Sequence, residues 1–280
     1  MILTCAISGA LASRDQCPAI PYTPAEYAAE ARRIADEGGV MVHIHARTPD
    51  GTPSYAIEDF RAITDAIRAE VGRDLIINYS TGALGVPIET RQAYLRELRP
   101  EVGALNMGSM NYAKYSARRK DFVFKAVFEN SFDTIGALLG TMVEHGIRPE
   151  HECFDSGHVA SLDPLLDMGV LQPPLQVSFV MGVTGGIRPT ARNVAHMAEQ
   201  VPDVPHQWGV IGISRAQWGL LAAALSLGGN IRVGLEDNFY LPDGEMARSN
   251  GDLVARGARM AGDAGRRLAT VDEARELLGL

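Results

Sequence analysis

Short apolar runs rich in Val, Ile and Leu recur along this chain, and a longer amphipathic stretch follows nearly every one. Residues 2–7, 40–45, 75–79, 104–107, 152–154, 175–181, 209–213 and 231–235 read as strands. Segments 24–37, 57–69, 87–98, 134–145, 159–168, 191–200, 216–227 and 248–265 read as helices. Local punctuation agrees: Thr23 can cap a helix that Pro24 opens, and Gly38-Gly39 can end it. Strand then helix, repeated about eight times in 280 residues, predicts an α/β fold, a (β/α)8 TIM barrel forming a single domain over 1–280. A doubly wound open sheet is the rival, but Ser8-Gly9-Ala10 after the first strand is not the G-x-G-x-x-G turn of such sheets. The stretch 111–130 breaks the rhythm and reads as irregular.

Charge narrows the function classes. A net charge of −8 leaves no basic stripe for a nucleic-acid backbone, although a basic pocket for one phosphorylated cofactor remains compatible with it. The opening residues Met1-Ile2-Leu3-Thr4-Cys5-Ala6-Ile7 lack a basic leader, and their apolar run is too short for a signal peptide or a membrane span. They read as a core strand. Cys5, Cys17 and Cys153 lack metal-ligand spacing; an odd, sparse set fits free thiols in a reducing, cytoplasmic setting.

Barrel enzymes carry their chemistry at the C-terminal ends of the strands. The second strand ends in His43-Ile44-His45. Side chains two apart share a face, so both imidazoles aim inward while Val42 and Ile44 meet the helices. Two such rings suit a borderline divalent metal, and equally they occur as ordinary polar residues. The last strand runs into Arg232-Val233-Gly234-Leu235-Glu236-Asp237-Asn238. Alternation carried through Leu235 leaves Arg232, Gly234 and Glu236 inside, where charge needs a partner or a metal. Strand eight lies beside strand one and strand one beside strand two, so Glu236 can approach the histidine pair with Gly9 leaving room. The plainer alternative is a structural Arg232–Asp237 ion pair.

Other strand ends are individually weak signals. Asn78-Tyr79-Ser80-Thr81-Gly82, Asn106-Met107-Gly108-Ser109 and Glu152 with Asp155 and His158 supply polar groups. The loop Gly182-Val183-Thr184-Gly185-Gly186 offers backbone N–H groups, with Gly185 and Gly186 as candidate cofactor contacts. Arg118-Arg119-Lys120 reads as a solvated face, with cofactor phosphates as its alternative partner.

The ordered set of these motifs resembles the β-keto acid cleavage enzymes, including 3-keto-5-aminohexanoate cleavage enzyme. The resemblance runs from Thr4-Cys5-Ala6-Ile7-Ser8-Gly9-Ala10 through His43-Ile44-His45-Ala46-Arg47 and Ser80-Thr81-Gly82. It continues in Pro149-Glu150-His151-Glu152, the glycine loop and the run Arg232 to Asn238. It implies a zinc-dependent barrel, a homotetramer, and exchange of acyl groups between a β-keto acid and acetyl-CoA. It implies that His43, His45 and Glu236 hold the metal (another divalent transition metal could serve). Arg232 and Asp237 then form the proton-abstracting dyad, and Ser80 and Glu152 orient substrate. Members acting on the amino-substituted substrate carry a carboxylate where this chain has Leu11, and Thr where it has Ala104. That departure implies a substrate without an amino group, with Arg14 leaving an anionic tail open. The competing readings are another metal-dependent barrel enzyme, a hydrolase or class II aldolase, and a metal-stabilised ligand-binding protein.

Overall fold

The structure is a computed structural model that describes residues 1–280. Eight parallel strands close into a barrel: β1 (Leu3–Ala6), β2 (Met41–Ile44), β3 (Ile76–Tyr79), β4 (Val102–Asn106), β5 (Arg148–Cys153), β6 (Leu175–Met181), β7 (His206–Gly212) and β8 (Asn230–Val233). Each strand pairs with its neighbours in chain order, and β8 closes on β1 through Leu3↔Ile231, Thr4↔Arg232 and Cys5↔Val233. A right-handed helical crossover between parallel neighbours leaves helices on the outside. Alternation therefore splits every strand into two faces. Leu3, Cys5, Val42, Ile44, Ile77, Tyr79, Val177, Phe179, Ile231 and Val233 join the large core against the helices. The opposite face carries buried polar residues, among them Thr4, His43, Asn78, Glu150, Glu152, Gln176, Ser178 and Arg232. The TIM-barrel expectation holds.

The N-terminal end of the barrel is sealed by a separate apolar cluster. Ile2, Val40, Met41, Ile76 and Val102 pack with Ala269, Ala274 and Leu278 of the segment that ends in helix Val271–Leu278. Thr270 and Glu273 start that helix with a reciprocal capping box, and Arg275 ties it to Glu101 at 3.1 Å. The same device opens helix Pro24–Asp36, where Thr23 and Glu26 cap each other. Glu26 sits low, at about 2; burial opposes this, but the amides of Thr23 and Tyr22 and the side chain of Arg14 outweigh it.

Five elements differ from the expectation. Residues 111–130 are not irregular: Met110–Ser116 and Asp121–Phe128 form an antiparallel hairpin at the C-terminal end of β4. Segment 159–168 is two short helices, Ser156–Ala160 and Leu162–Asp167, because Pro164 has no N–H to donate back to residue 160. The short strand expected at 152–154 is β5, starting at Arg148, and β8 ends at Val233 rather than Leu235. Helix Val271–Leu278 was not expected, although its Thr270-x-x-Glu273 signature lies in the sequence.

Leu278 is 1% exposed within the seal. Leu278→Ala is expected to lower unfolding free energy by about 2–4 kcal/mol, read from urea denaturation with the slope unchanged. A midpoint equal to that of the parent would mean that this helix does not hold the barrel floor.

Candidate active site

The site forms where β2 and β8 reach the mouth on either side of β1. His43 lies inside β2 and His45 one residue beyond it, their ring centroids 5.2 Å apart. The backbone of His45 is held by Tyr27, whose hydroxyl donates to its carbonyl at 2.7 Å. On the other side the chain turns sharply after Val233. Gly234 sits at φ +139°, and a Cβ there would lie 2.1 Å from the Ala6 carbonyl oxygen, so no side chain fits. The amides of Asp237 and Asn238 both donate to the Gly234 oxygen at 3.1 Å, curling the segment back over the mouth. Asn250 fastens this turn to β1. Its side chain donates to Ile7 O at 3.1 Å and accepts from Leu235 N at 2.9 Å. Glu236 thus reaches the interior by a turn, not by continued strand alternation. A Cβ on Gly9 would approach its Cγ to 2.7 Å, so the room left by Gly9 is used.

Arg232 organises the charges. Its Nε and Nη2 donate to the two oxygens of Asp237 at 2.9 and 2.8 Å. Nη2 also donates to Glu236 Oε1 at 3.0 Å, and Nη1 to Glu152 Oε1 at 3.1 Å. The Arg232–Asp237 pair is therefore part of a larger cluster. Glu150 lies deeper, bonded by Ser178 at 2.5 Å and by the Asn78 amide. One guanidinium bonds three carboxyl groups, with Glu150 as a fourth nearby. Burial pushes Glu152 up to about 8, with repulsion from Glu150, Glu236 and Asp237 adding to it against Arg232. Burial likewise lifts Asp237 to about 6 in spite of its double bond to Arg232. Burial also works against charge on Glu236, but His43, His45 and Arg232 outweigh it and hold that carboxyl well below the usual range. Burial drives His43 down to about 3 against the pull of Glu236, and Arg232 is the permanent cation bonded to Glu236.

Donor atoms of His43, His45 and Glu236 lie within 4.8 Å of one another. Glu236 Oε1 stands 3.7 Å from His43 Nε2 and 3.6 Å from His45 Nε2, too far for hydrogen bonds. His43 Nδ1 and Glu236 Oε2 are buried without a partner. Two imidazoles, an ionised carboxylate and unmet polar atoms fit a divalent cation. His43, Glu150 and Glu152 form a second close set, but Glu150 and Glu152 are already bonded to Asn78, Ser178 and Arg232.

The remaining expected residues lie around this centre. Ser80 closes β3, and its hydroxyl accepts from Gly82 N at 3.2 Å. Gly186 spends its amide on Val183 O, and a Cβ on Gly185 would lie 1.7 Å from Asn111 O. The glycine loop therefore seats the hairpin, with Ala113 N donating to Thr184 O at 3.3 Å. Asp155 caps a helix through Gly157 N, and His158 accepts from Phe154 N. Arg14 is not free: it pairs with Glu26 at 2.6 Å and lies over the Tyr22 ring. Cys5, Cys17 and Cys153 are buried free thiols. Sequence reasoning gave no role to Glu150, Asn250 or Tyr112. Tyr112 projects from the hairpin among Phe128, Phe154, Val180 and Ile211; burial, then Glu236, Asp237 and Glu152, push it up to about 12.

Comparison with known proteins gives the family and the fold. A chain from Fusobacterium nucleatum subsp. nucleatum named "3-keto-5-aminohexanoate cleavage enzyme" is 37% identical over 280 residues, covering 100% of this chain and 98% of that protein. "3,5-dioxohexanoate:acetyl-CoA acetone transferase" of Paraburkholderia graminis is 34% identical over 300 residues, covering 100% and 96%. "3-oxoadipate:acetyl-CoA acetyltransferase" of Cupriavidus necator is 32% identical, covering 100% and 94%. Among solved structures, apo ObcA superposes with a TM-score of 0.75 at 20% identity, covering 94% of this chain and 66% of that one, a likeness of fold. The family model described as beta-keto acid cleavage enzyme matches residues 1–280. Matched along its full length by the family model and by relatives more than a third identical, this chain belongs to the β-keto acid cleavage enzyme family.

Proposed function

We propose that this chain is an acyltransferase that converts a β-keto acid and acetyl-CoA into acetoacetate and a new acyl-CoA. The observation that carries this reading is a carboxylate, Asp237, clamped by Arg232 beside a three-donor set on the rim of the barrel. The names of two relatives, both acetyl-CoA-dependent transferases, support it.

His43, His45 and Glu236 would hold a divalent ion, zinc by preference, which when bound supplies Lewis acidity toward the substrate's keto and carboxylate oxygens. Asp237 then takes the α-proton onto a carboxylate oxygen. Arg232 fixes its orientation, and its raised proton affinity suits a base working near neutral pH. The α-carbon forms a bond to the thioester carbonyl carbon, the C–S bond breaks, and CoA leaves as thiolate. That thiolate attacks the original keto carbon. The bond from this carbon to the α-carbon breaks, releasing the new acyl-CoA, and the acetoacetate carbanion recovers the proton held by Asp237. Glu152, bonded to Arg232, and Ser80 at the end of β3 orient the substrate. No enzyme nucleophile is required, in keeping with three buried thiols.

Leu11, 63% exposed in the loop after β1, has no charge to offer a substrate ammonium. The substrate therefore lacks an amino group. Arg14 is occupied by Glu26, so an anionic tail finds no free partner there. The same reading includes a homotetrameric cytoplasmic enzyme; no helix of the chain is long and apolar enough to cross a membrane. A hydrolase, an aldolase or a metal-stabilised binding protein would show no dependence on CoA.

Incubating metal-loaded protein with acetyl-CoA and a panel of β-keto acids should yield acetoacetate and a new acyl-CoA. Amino-free substrates should be favoured over 3-keto-5-aminohexanoate by about tenfold or more. No exchange with any substrate would sink the reading, and best turnover of the amino compound would sink the specificity. Asp237→Asn keeps one of the two hydrogen bonds from Arg232 and should lower kcat by about 10²–10⁴ with the fold intact by circular dichroism. Zinc should raise the Tm of the parent and bind near one equivalent by elemental analysis, and His43→Ala with His45→Ala should abolish both effects. Undiminished zinc content in that double variant would remove the histidines from the site.

A further inference from the structure

In the barrel centre Arg232 is committed to Asp237, Glu236 and Glu152, so it has no bond to spare for the phosphates of a CoA thioester. The acyl end has to enter while the nucleotide end stays outside. The hairpin Met110–Ser116 and Asp121–Phe128 reaches from this centre into solvent. At its base Tyr112 packs on Phe128, ring centroids 5.7 Å apart, and Phe128 on Phe154. The Thr184–Gly185 backbone braces its first strand.

Its outer end has a different character. Lys114, Arg118, Arg119, Lys120 and Lys125 are all exposed, against the single acid Asp121, in a chain of net charge −8. None of the five cations forms an ion pair. Beside them Tyr115 and Phe122 meet edge to face at 5.7 Å, yet remain 50% and 40% exposed. From Tyr112 to the turn after Ser116 an extended strand covers roughly 13 Å at about 3.3 Å per residue, the scale of an extended pantetheine arm. Unpaired cations next to exposed aromatic faces, held at that span beyond Tyr112, match a phosphorylated adenine nucleotide.

We propose that the hairpin tip is the docking arm for the 3′-phospho-ADP end of acetyl-CoA, with Arg118, Arg119 and Lys120 meeting the phosphates and Tyr115 and Phe122 offering a stacking face for adenine. This rests on the acetyl-CoA reading above and adds a location to it. The pantetheine arm then runs along the hairpin past Tyr112 toward Asp237.

The test compares the parent with a triple variant, Arg118→Ala, Arg119→Ala and Lys120→Ala, using acetyl-CoA and S-acetylpantetheine, which lacks the nucleotide. The variant's KM for acetyl-CoA should rise about tenfold or more, with kcat little changed and S-acetylpantetheine kinetics equal in both proteins. Added salt should raise the parent's KM for acetyl-CoA more than the variant's, and Arg118→Lys with Arg119→Lys should retain most of the affinity. An unchanged KM for acetyl-CoA overturns the proposal, as does an equal rise with both thioesters. A changed oligomeric state with KM unmoved overturns it too, and assigns the tip to a second copy of the chain. If the parent itself turns over neither thioester with any β-keto acid, the proposed function fails and the docking arm fails with it.

Discussion

A guanidinium buried inside a barrel is expensive unless its surroundings answer its charge, and Arg232 is 5% exposed. Five N–H donors in a rigid fork allow it to bind Asp237 through two bonds while reaching Glu236 and Glu152 with the others. Those carboxyl groups come from β5 and from the segment following β8, so this one side chain sets their relative positions. Lysine, with three donors on a single point charge, would leave at least one of these four bonds unmade. The arrangement leaves an excess of negative charge at the barrel mouth, and with it an affinity for a cation.

The two faces of each strand divide the work. Outward residues such as Val42, Ile44, Ile231 and Val233 belong to the continuous core that makes the barrel stable. Inward residues of the same strands, His43 and Arg232, serve the site. A one-residue slip of β2 or β8 would bury the functional groups among helices, so correct register and a competent site are one requirement. Asn250 adds a second fastening, since it bonds both to the end of β1 and to the Glu236 turn.

Much of this is legible in the sequence for physical reasons. The strand–helix rhythm is carried by apolar periodicity, and His43 with His45 share a face because a strand repeats every two residues. Glu236 is legible for a partly wrong reason: alternation places it inside, whereas the chain leaves the strand at Gly234 and returns it by a turn. Glu150 is hidden because β5 begins four residues earlier than its apolar content suggests, behind Arg148 and Pro149. The hairpin is obscured by its own chemistry. Cations interrupt the alternation of its aromatics, and a register shift between Lys114 and Tyr115 breaks the period. Asn250 gives no signal at all, because its importance lies in contacts to segments more than 200 residues away in the chain.

Strand order around the barrel follows chain order, so the first and last strands meet at a seam. The grouped donors come from both flanks of that seam, His43 and His45 from β2 and Glu236 from beyond β8. During synthesis the nascent chain therefore owns two of these three donors, without the third, until its final fifth has emerged and docked. Whatever the finished cluster grips acts as a clasp across the junction, so occupancy there resists the parting of the chain's first strand from its last.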